Sequence, residues 1–331
     1  MKKLLQTLTD TYGPSGYEHA VREAIKKIIK PYADEMRVDA LGSLIARKGR
    51  LGKNGKRIMV AAHMDEIGLM VSHVDANGFL RFTSIGGPFG RYMLGGRVQF
   101  LNGARGVIGY DKLEKYHETP PLDKMYIDVG ASSRRDCPVK VGDVAAFERP
   151  FLDLGKRVAA KSLDDRAGVA ALIETMRRLK SGPNEVYFVF TVQEEFTING
   201  AQTAAFGIDP DLGIAVDVTP TGDTPHVNNS DVALGKGAAI KVKDQYTLCD
   251  PRLVAWMRQT AQKAKIEHQL EVLLTGTTDA YKMQTARAGM PVGCVSIPVR
   301  YVHSPSEMLD MDDLENCVRL LTALLRAPIS Y

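Results

Sequence analysis

Leu4, Leu5 and Leu8 suit an amphipathic helix at the start of the chain, and Ala20, Val21, Ile25, Ile28 and Ile29 share one face of a helix over 18–31. MRVDALGSLIARKG reads as two short strands around Gly42. The next run, RIMVAAHMD, is apolar at consecutive positions, as a parallel strand covered on both faces requires. From Asp165 onward strands and helices take turns. Helices are expected over 165–180, 201–206, 251–265, 280–288 and 312–325, and strands over 185–192, 212–218, 269–275 and 291–299. That alternation predicts an α/β domain.

Between about Gly68 and Gly155 the helical period disappears. LMVSHVD, FLRFTSIGG, RVQFLNG, RGVIGYD, MYIDVG and DVAAFERP are short strand-like pieces separated by Gly, Asn and Asp turns, a texture that suits a small β-barrel or sandwich. The expected organisation is a discontinuous α/β domain over 1–67 and 156–331, interrupted by an inserted β domain over 68–155. Gly86, Gly87, Gly95 and Gly96 read as turn glycines of the insert, since no GxGxxG opens a helix. The Pro-, Thr- and Asn-rich stretch from Thr219 to Asn229 reads as a loop. No internal repeat or low-complexity tract is present.

Composition narrows the class without changing this picture. The chain has 331 residues, 44% of them hydrophobic, enough for a large core and more than one compact unit. Its 43 Lys and Arg are dispersed among 39 Asp and Glu, which argues against nucleic acid as a partner. No run approaches the ~20 apolar residues of a membrane span, and polar residues interrupt MKKLLQTLTDTYG before a signal-peptide core forms. Cys137, Cys249, Cys294 and Cys317 are scattered without CxxC spacing, so buried thiols in a reduced, cytoplasmic protein are expected. Trp256 and the scattered methionines read as core.

The chemistry concentrates where apolar runs end. Val186–Val192 leads to Glu194 and Glu195, MVAAHMD to His63 and Asp65, KSLDD to Asp164 and Asp165, LGIAVD to Asp217 and VSIPVRYVH to His303. Ligands of open α/β sheets bind outside the carboxyl ends of the strands, where such residues converge. Two divalent ions about 3.5–4 Å apart need a bridging carboxylate and further N or O ligands on each side. Asp164 is the expected bridge, with His63 and Asp217 completing one ion and Glu195 and His303 the other. Asp65 lies within reach to orient the His63 ring. Adjacent strand residues point to opposite faces, which leaves Glu194 free as the general base for an attacking water.

The motifs PSGYE (14–18), AAHMDEIG (61–68), KSLDDRAG (161–168), QEE (193–195), AVDVTP (215–220), TTDA (277–280) and HSPSEM (303–308) together resemble the M42 family of metallo-aminopeptidases. The resemblance runs along nearly the whole chain in the family's order. It implies a zinc-exopeptidase-like mixed sheet flanked by helices with an inserted small β-barrel. It implies an aminopeptidase acting on peptides, with metal ligands His63, Asp164, Glu195, Asp217 and His303, catalytic base Glu194 and supporting Asp65. Two ions per subunit are implied, zinc or cobalt first and manganese next. It also implies a cis bond between Asp164 and Asp165, and dimers formed through the β domain that assemble into dodecamers.

Two stretches depart from the family's pattern. After QEE the family commonly has a Val-Gly segment leading to Gly-Ala, where this chain reads FTINGA (196–201), and Thr277 stands where glycine is common. Asp279 is expected either to face a substrate amine or to cap the following helix. His19, His73, His117, His226 and His268 read as surface or structural histidines. Two other functions would use these residues differently. A metal-independent endoglucanase would use Glu194 and Asp217 as its carboxylate pair but leave His63 and His303 idle. A non-catalytic assembly protein would have no use for a full ligand set.

Overall fold

The computed structural model describes residues 1–113, 118–180, 182–227 and 230–329. In chain order the elements are α1 (Lys2–Thr9), α2 (His19–Ile29), β1 (Glu35–Val38), β2 (Leu44–Lys48), β3 (Arg57–His63), β4 (Gly68–Val74), β5 (Leu80–Ile85), α3 (Gly90–Met93), β6 (Arg97–Phe100), β7 (Arg105–Tyr110), β8 (Met125–Asp128) and β9 (Val144–Phe147). The chain continues with β10 (Leu152–Leu154), β11 (Arg157–Ala160), α4 (Leu163–Arg178), β12 (Glu185–Thr191), α5 (Glu194–Thr197), α6 (Asn199–Ile208), β13 (Leu212–Pro220) and β14 (Ala238–Lys243). It ends with α7 (Pro251–Lys263), β15 (His268–Val272), α8 (Asp279–Gln284), β16 (Val292–Arg300), β17 (Glu307–Asp310) and α9 (Met311–Arg326).

Eleven strands form one mixed sheet in the order β1, β2, β12, β3, β13, β16, β17, β11, β10, with β14 paired to β16 and β15 to β14. β12, β3, β13 and β16 are parallel neighbours at its centre. Side chains alternate along a strand, so β3 sends Ile58, Val60 and Ala62 under α1, α2, α4, α7 and α9, and Met59 and Ala61 under α6 and α8. Being apolar at every position from Ile58 to Ala62, β3 satisfies both layers. His63 and Asp217 continue the α6/α8 side, following Ala61 and Ala215 in the alternation. Caps fix where helices start: the Asp250 carboxylate accepts from the Arg252 N–H with Pro251 at the first helical position, and Asp310 accepts from the Asp312 N–H.

Strands β4, β5, β8, β7, β6 and β9 close into a barrel with its own core, which decides between barrel and sandwich. Its strands span 68–147. β10, inside the stretch whose texture suggested the insert, pairs instead with β11 in the large sheet. β10, β14 and β17, three to six residues long, show no clean alternation in the sequence. Ala20 is exposed because α2 buries Val21, Ile25 and Ile29, a spacing that leaves position 20 to solvent. Cys249, Cys294 and Cys317 are buried and Cys137 half-buried, all as free thiols, and Trp256 packs partly buried against the main core. Among the described residues no helix is long and apolar enough to cross a membrane.

Arg300, the last residue of β16, donates to both oxygens of Asp223 at 2.9 and 2.6 Å and fastens the loop that follows β13. Partial burial alone would raise the Asp223 pKa, but the bonds from Arg300 and Thr221 outweigh it and hold it at about 2. A carboxyl depressed on folding stabilises above its unfolded value near 4 and loses that contribution as pH falls through the folded one. Asp223→Asn is therefore expected to cost at most about 2 kcal/mol at pH 6, the gap from the parent narrowing between pH 4 and 2. Urea denaturation across that range checks it, and a pH-independent gap would contradict it.

Candidate active site

His63 ends β3 with its ring buried, and its Nε2 lies 3.0 Å from Asp164 Oδ1, 3.8 Å from Asp217 Oδ1 and 3.9 Å from Glu194 Oε2. The other oxygen of Asp164 lies 3.4 Å from His303 Nε2, and the same nitrogen is 3.3 Å from Glu195 Oε2. Asp164 thus stands between two imidazoles and offers one oxygen to each. Candidate ligand atoms of His63, Asp164 and Asp217 all lie within 4.8 Å of one another, as do those of Asp164, Glu195 and His303. The structure brings all five candidate ligands together, with Glu194 facing the His63 side and Asp65 behind it.

Four of these residues reach the site differently from the strand-tip picture. β11 ends at Ala160, and Asp164 lies four residues on, within the first turn of α4, where it and Asp165 have non-helical backbone and a cis bond between them. Asp217 lies three residues before the end of β13, just beyond the last β13–β3 pair, where the sheet opens. Glu194 and Glu195 start the single turn α5, not an extended strand, after Gln193 in the left-handed region at φ 56°. The divergence of the two carboxylates is therefore helical rather than pleated.

Buried acceptors that are not themselves candidate ligands hold this arrangement. The Asp65 carboxylate accepts from the backbone N–H groups of Glu194 and Glu195, both at 3.1 Å, and from the Ser15 hydroxyl. His63 Nδ1 faces the Asp65 carbonyl at 3.3 Å and carboxylate at 3.5 Å, which leaves Nε2 toward the cluster. Glu18 accepts from the Gln193 N–H at 3.1 Å, and Glu307 accepts from the N–H groups of Asp164 and His303. Deeper still, Glu66 takes Lys161 Nζ and Ser162 Oγ, both at 2.5 Å, and the fully buried Arg166 donates to the carbonyls of Met64, Leu8 and Thr11. The motif residues around the candidate ligands are thus mostly scaffold.

Gly86 and Gly87 are more than turn glycines. The loop after β5 brings the Gly87 carbonyl to 3.0 Å from His303 Nδ1, and a Cβ at Gly86 would meet Glu195 Oε2 at 3.0 Å. The capping alternative for Asp279 is corrected: Thr278 caps α8, while the buried Asp279 accepts from Thr191 Oγ at 2.6 Å. Thr277 lies against Asp244 and Thr247. Phe196 of the FTINGA segment is 67% exposed beside the site, whereas Ile198 turns inward. His19, His73 and His268 contact Arg22, Arg134 and the Ile266 carbonyl, and His226 is an exposed turn residue. His117, Asn228 and Asn229 lie outside the described residues.

Electrostatics asks for cations here. Burial raises Glu194 and Asp217 well above the usual carboxylate range, the His63 charge opposing and neighbouring carboxylates adding to it. Glu195 is raised by burial as well. Burial alone would lower His63, but hydrogen bonds to Asp164 and Asp65 lift it well above an ordinary imidazole. Four crowded carboxylates share two imidazoles, and Glu195 Oε1 is buried with no hydrogen-bond partner. Mixed nitrogen and oxygen donors with an orphaned oxygen fit divalent ions of the zinc, cobalt or manganese type.

A model of the M42 glutamyl aminopeptidase family matches residues 42–320. The lysyl aminopeptidase of Pyrococcus furiosus is 37% identical over 98% of this chain and 96% of its own length. An aminopeptidase from the archaeon Desulfurococcus kamchatkensis superposes with a TM-score of 0.94 at 38% identity, over 98% of this chain and 94% of that one. The TET1 peptidase of Pyrococcus horikoshii, which can assemble into a tetrahedron or a large octahedral shell, superposes with a TM-score of 0.89 at 36% identity over 98% of each chain.

Zinc at about one hundred times its dissociation constant is expected to add about 2.7 kcal/mol of stability for each ion bound. Thermal melts with zinc and with a chelator check this. A Tm indifferent to both would remove cations from the site.

Proposed function

Because the chain belongs to the M42 glutamyl aminopeptidase family, we propose that it removes N-terminal residues from peptides by a two-metal mechanism with Glu194 as general base. It is an aminopeptidase, a hydrolase acting on peptide bonds. His63, Asp164 and Asp217 would hold one ion, and Asp164, Glu195 and His303 the other, with Asp164 shared. When bound, such a pair supplies a Lewis acid for the scissile carbonyl and lowers the pKa of water. What supports this reading is the division of the two Asp164 oxygens between His63 at 3.0 Å and His303 at 3.4 Å.

Within that frame Glu194 takes the proton from the attacking water at Oε2 and returns it to the leaving amine. Its burial raises its pKa above the usual carboxylate range, the direction that favours the protonated form it must take as acid. Asp65 holds the backbone under Glu194 and Glu195 and keeps the His63 ring turned, so it acts through position. The substrate's free α-amine would sit at one end of the acidic cluster, which makes the reaction exopeptidic.

We place dimerisation in the insert over 68–155 and expect the dimers to build a cytoplasmic dodecamer. The assembling TET1 relative supports a large homo-oligomer.

Glu194→Gln is expected to bind zinc as the parent does and to lose about 10²–10⁴-fold in kcat. Metal content with initial rates on aminoacyl anilides tests it, and a variant with parental kcat would overturn the role of Glu194.

A further inference from the structure

β17 lies between the two strands that lead to Asp164 and His303. It pairs with β11, which continues through Lys161 to Asp164, and with the end of β16, which continues to His303. Glu307, the first residue of β17, stands opposite Ala160 in that register and is 1% exposed. Its two oxygens are divided: Oε2 accepts from the Asp164 N–H and Oε1 from the His303 N–H, both at 2.9 Å.

Neither recipient sits in regular backbone. Asp164 has φ −78° and ψ 107° inside the first turn of α4, and His303 has φ 62° in a turn. No helix or strand ladder therefore holds either N–H, and the Glu307 carboxylate is the group that binds both. We infer that Glu307 is a positioning residue, one that holds Asp164 and His303 at the separation a shared ion requires before the ion arrives. This rests on the proposed metal site and extends it to a residue that touches no ion.

The residue type follows from the geometry. The two N–H donors are aimed at different oxygens of one side chain, which suits a carboxylate, whereas an amide would turn its NH2 toward one of them. Asp65 repeats the device on the other side, accepting from the backbones of Glu194 and Glu195. Glu307 governs two of the three candidate ligands of the His303 ion but one of three for the His63 ion. Its loss is therefore felt mainly at the first.

The test is zinc binding by the metal-stripped full-length chain, titrated against a chromophoric chelator, for the parent and Glu307→Gln. The parent is expected to take up two ions. Glu307→Gln keeps the side-chain shape but turns an NH2 toward one of the two donors. One ion should bind about 10–100-fold more weakly and the other with much less change, at unaltered far-UV circular dichroism. Parental affinities at both ions overturn the inference, whatever happens to Tm or kcat, because a merely structural carboxylate would not select one ion. Should Glu307→Gln not fold, Glu307→Asp keeps the charge but has too short an arm for both N–H groups, and parental zinc affinities there overturn it equally. A parent chain that takes up no zinc would instead remove the metal reading itself.

Discussion

Repulsion among buried carboxylates is the constraint around which the molecule is arranged. Asp164, Glu194, Glu195 and Asp217 come together at the carboxyl edge of the parallel strands with two imidazoles among them. Bringing these charges out of water is costly unless each finds a counter-charge or a donor. Asp164 meets the requirement by facing both histidines, which pulls its pKa down against its burial. Glu194 and Asp217 face His63 alone and Glu195 faces His303, which does not offset their burial, and their pKa values are driven up. Protons or cations can relieve such a cluster, and its mixed nitrogen and oxygen donors fit divalent cations.

Such a cluster must be held from outside, and the structure does this in tiers. Asp65 and Glu307 grip the backbone of the candidate ligands. Behind them Glu66, Lys161, Ser162 and Arg166 join the segment after β3 to the start of α4, and Arg166 reaches on to the carbonyls ending α1. Ion pairs of Glu66 with Lys161 and Arg166, the Ser162 hydroxyl and the Arg166 bonds to backbone carbonyls tie this tier together. Relative placement of His63 at the end of β3 and Asp164 after β11, strands with β13, β16 and β17 between them in the sheet, is inherited from that tier.

Much of this was legible in the residue types. Apolar runs ending in His or a carboxylate pointed to the convergence, and the change of period between 68 and 155 pointed to the barrel. What escaped did so for physical reasons. The Gly87 carbonyl against His303 carries no side-chain signal at all. Glu307 looks like any polar residue of a turn, since a carboxylate that accepts from two backbone N–H groups has the same letter as one in solvent. β14 and β17 are too short to show a period, and their existence follows from β16 having one edge shared by two partners along its length. Asp279 and Thr278 are both cap-forming types in adjacent positions, and only the packing of α8 against β13 and β16 sends one to the helix end and the other to Thr191.

The contact of the loop after β5 with His303 bears on how freely the two halves of this chain can diverge. A carbonyl oxygen from a segment between barrel strands sets the ring of a residue in the other core. Drift in the barrel is consequently filtered by the chemistry: substitutions that tilt this loop are visible to selection even when the barrel's own packing is intact. A chimera given a foreign barrel would inherit a His303 held only through Nε2 unless the graft also supplied that one oxygen.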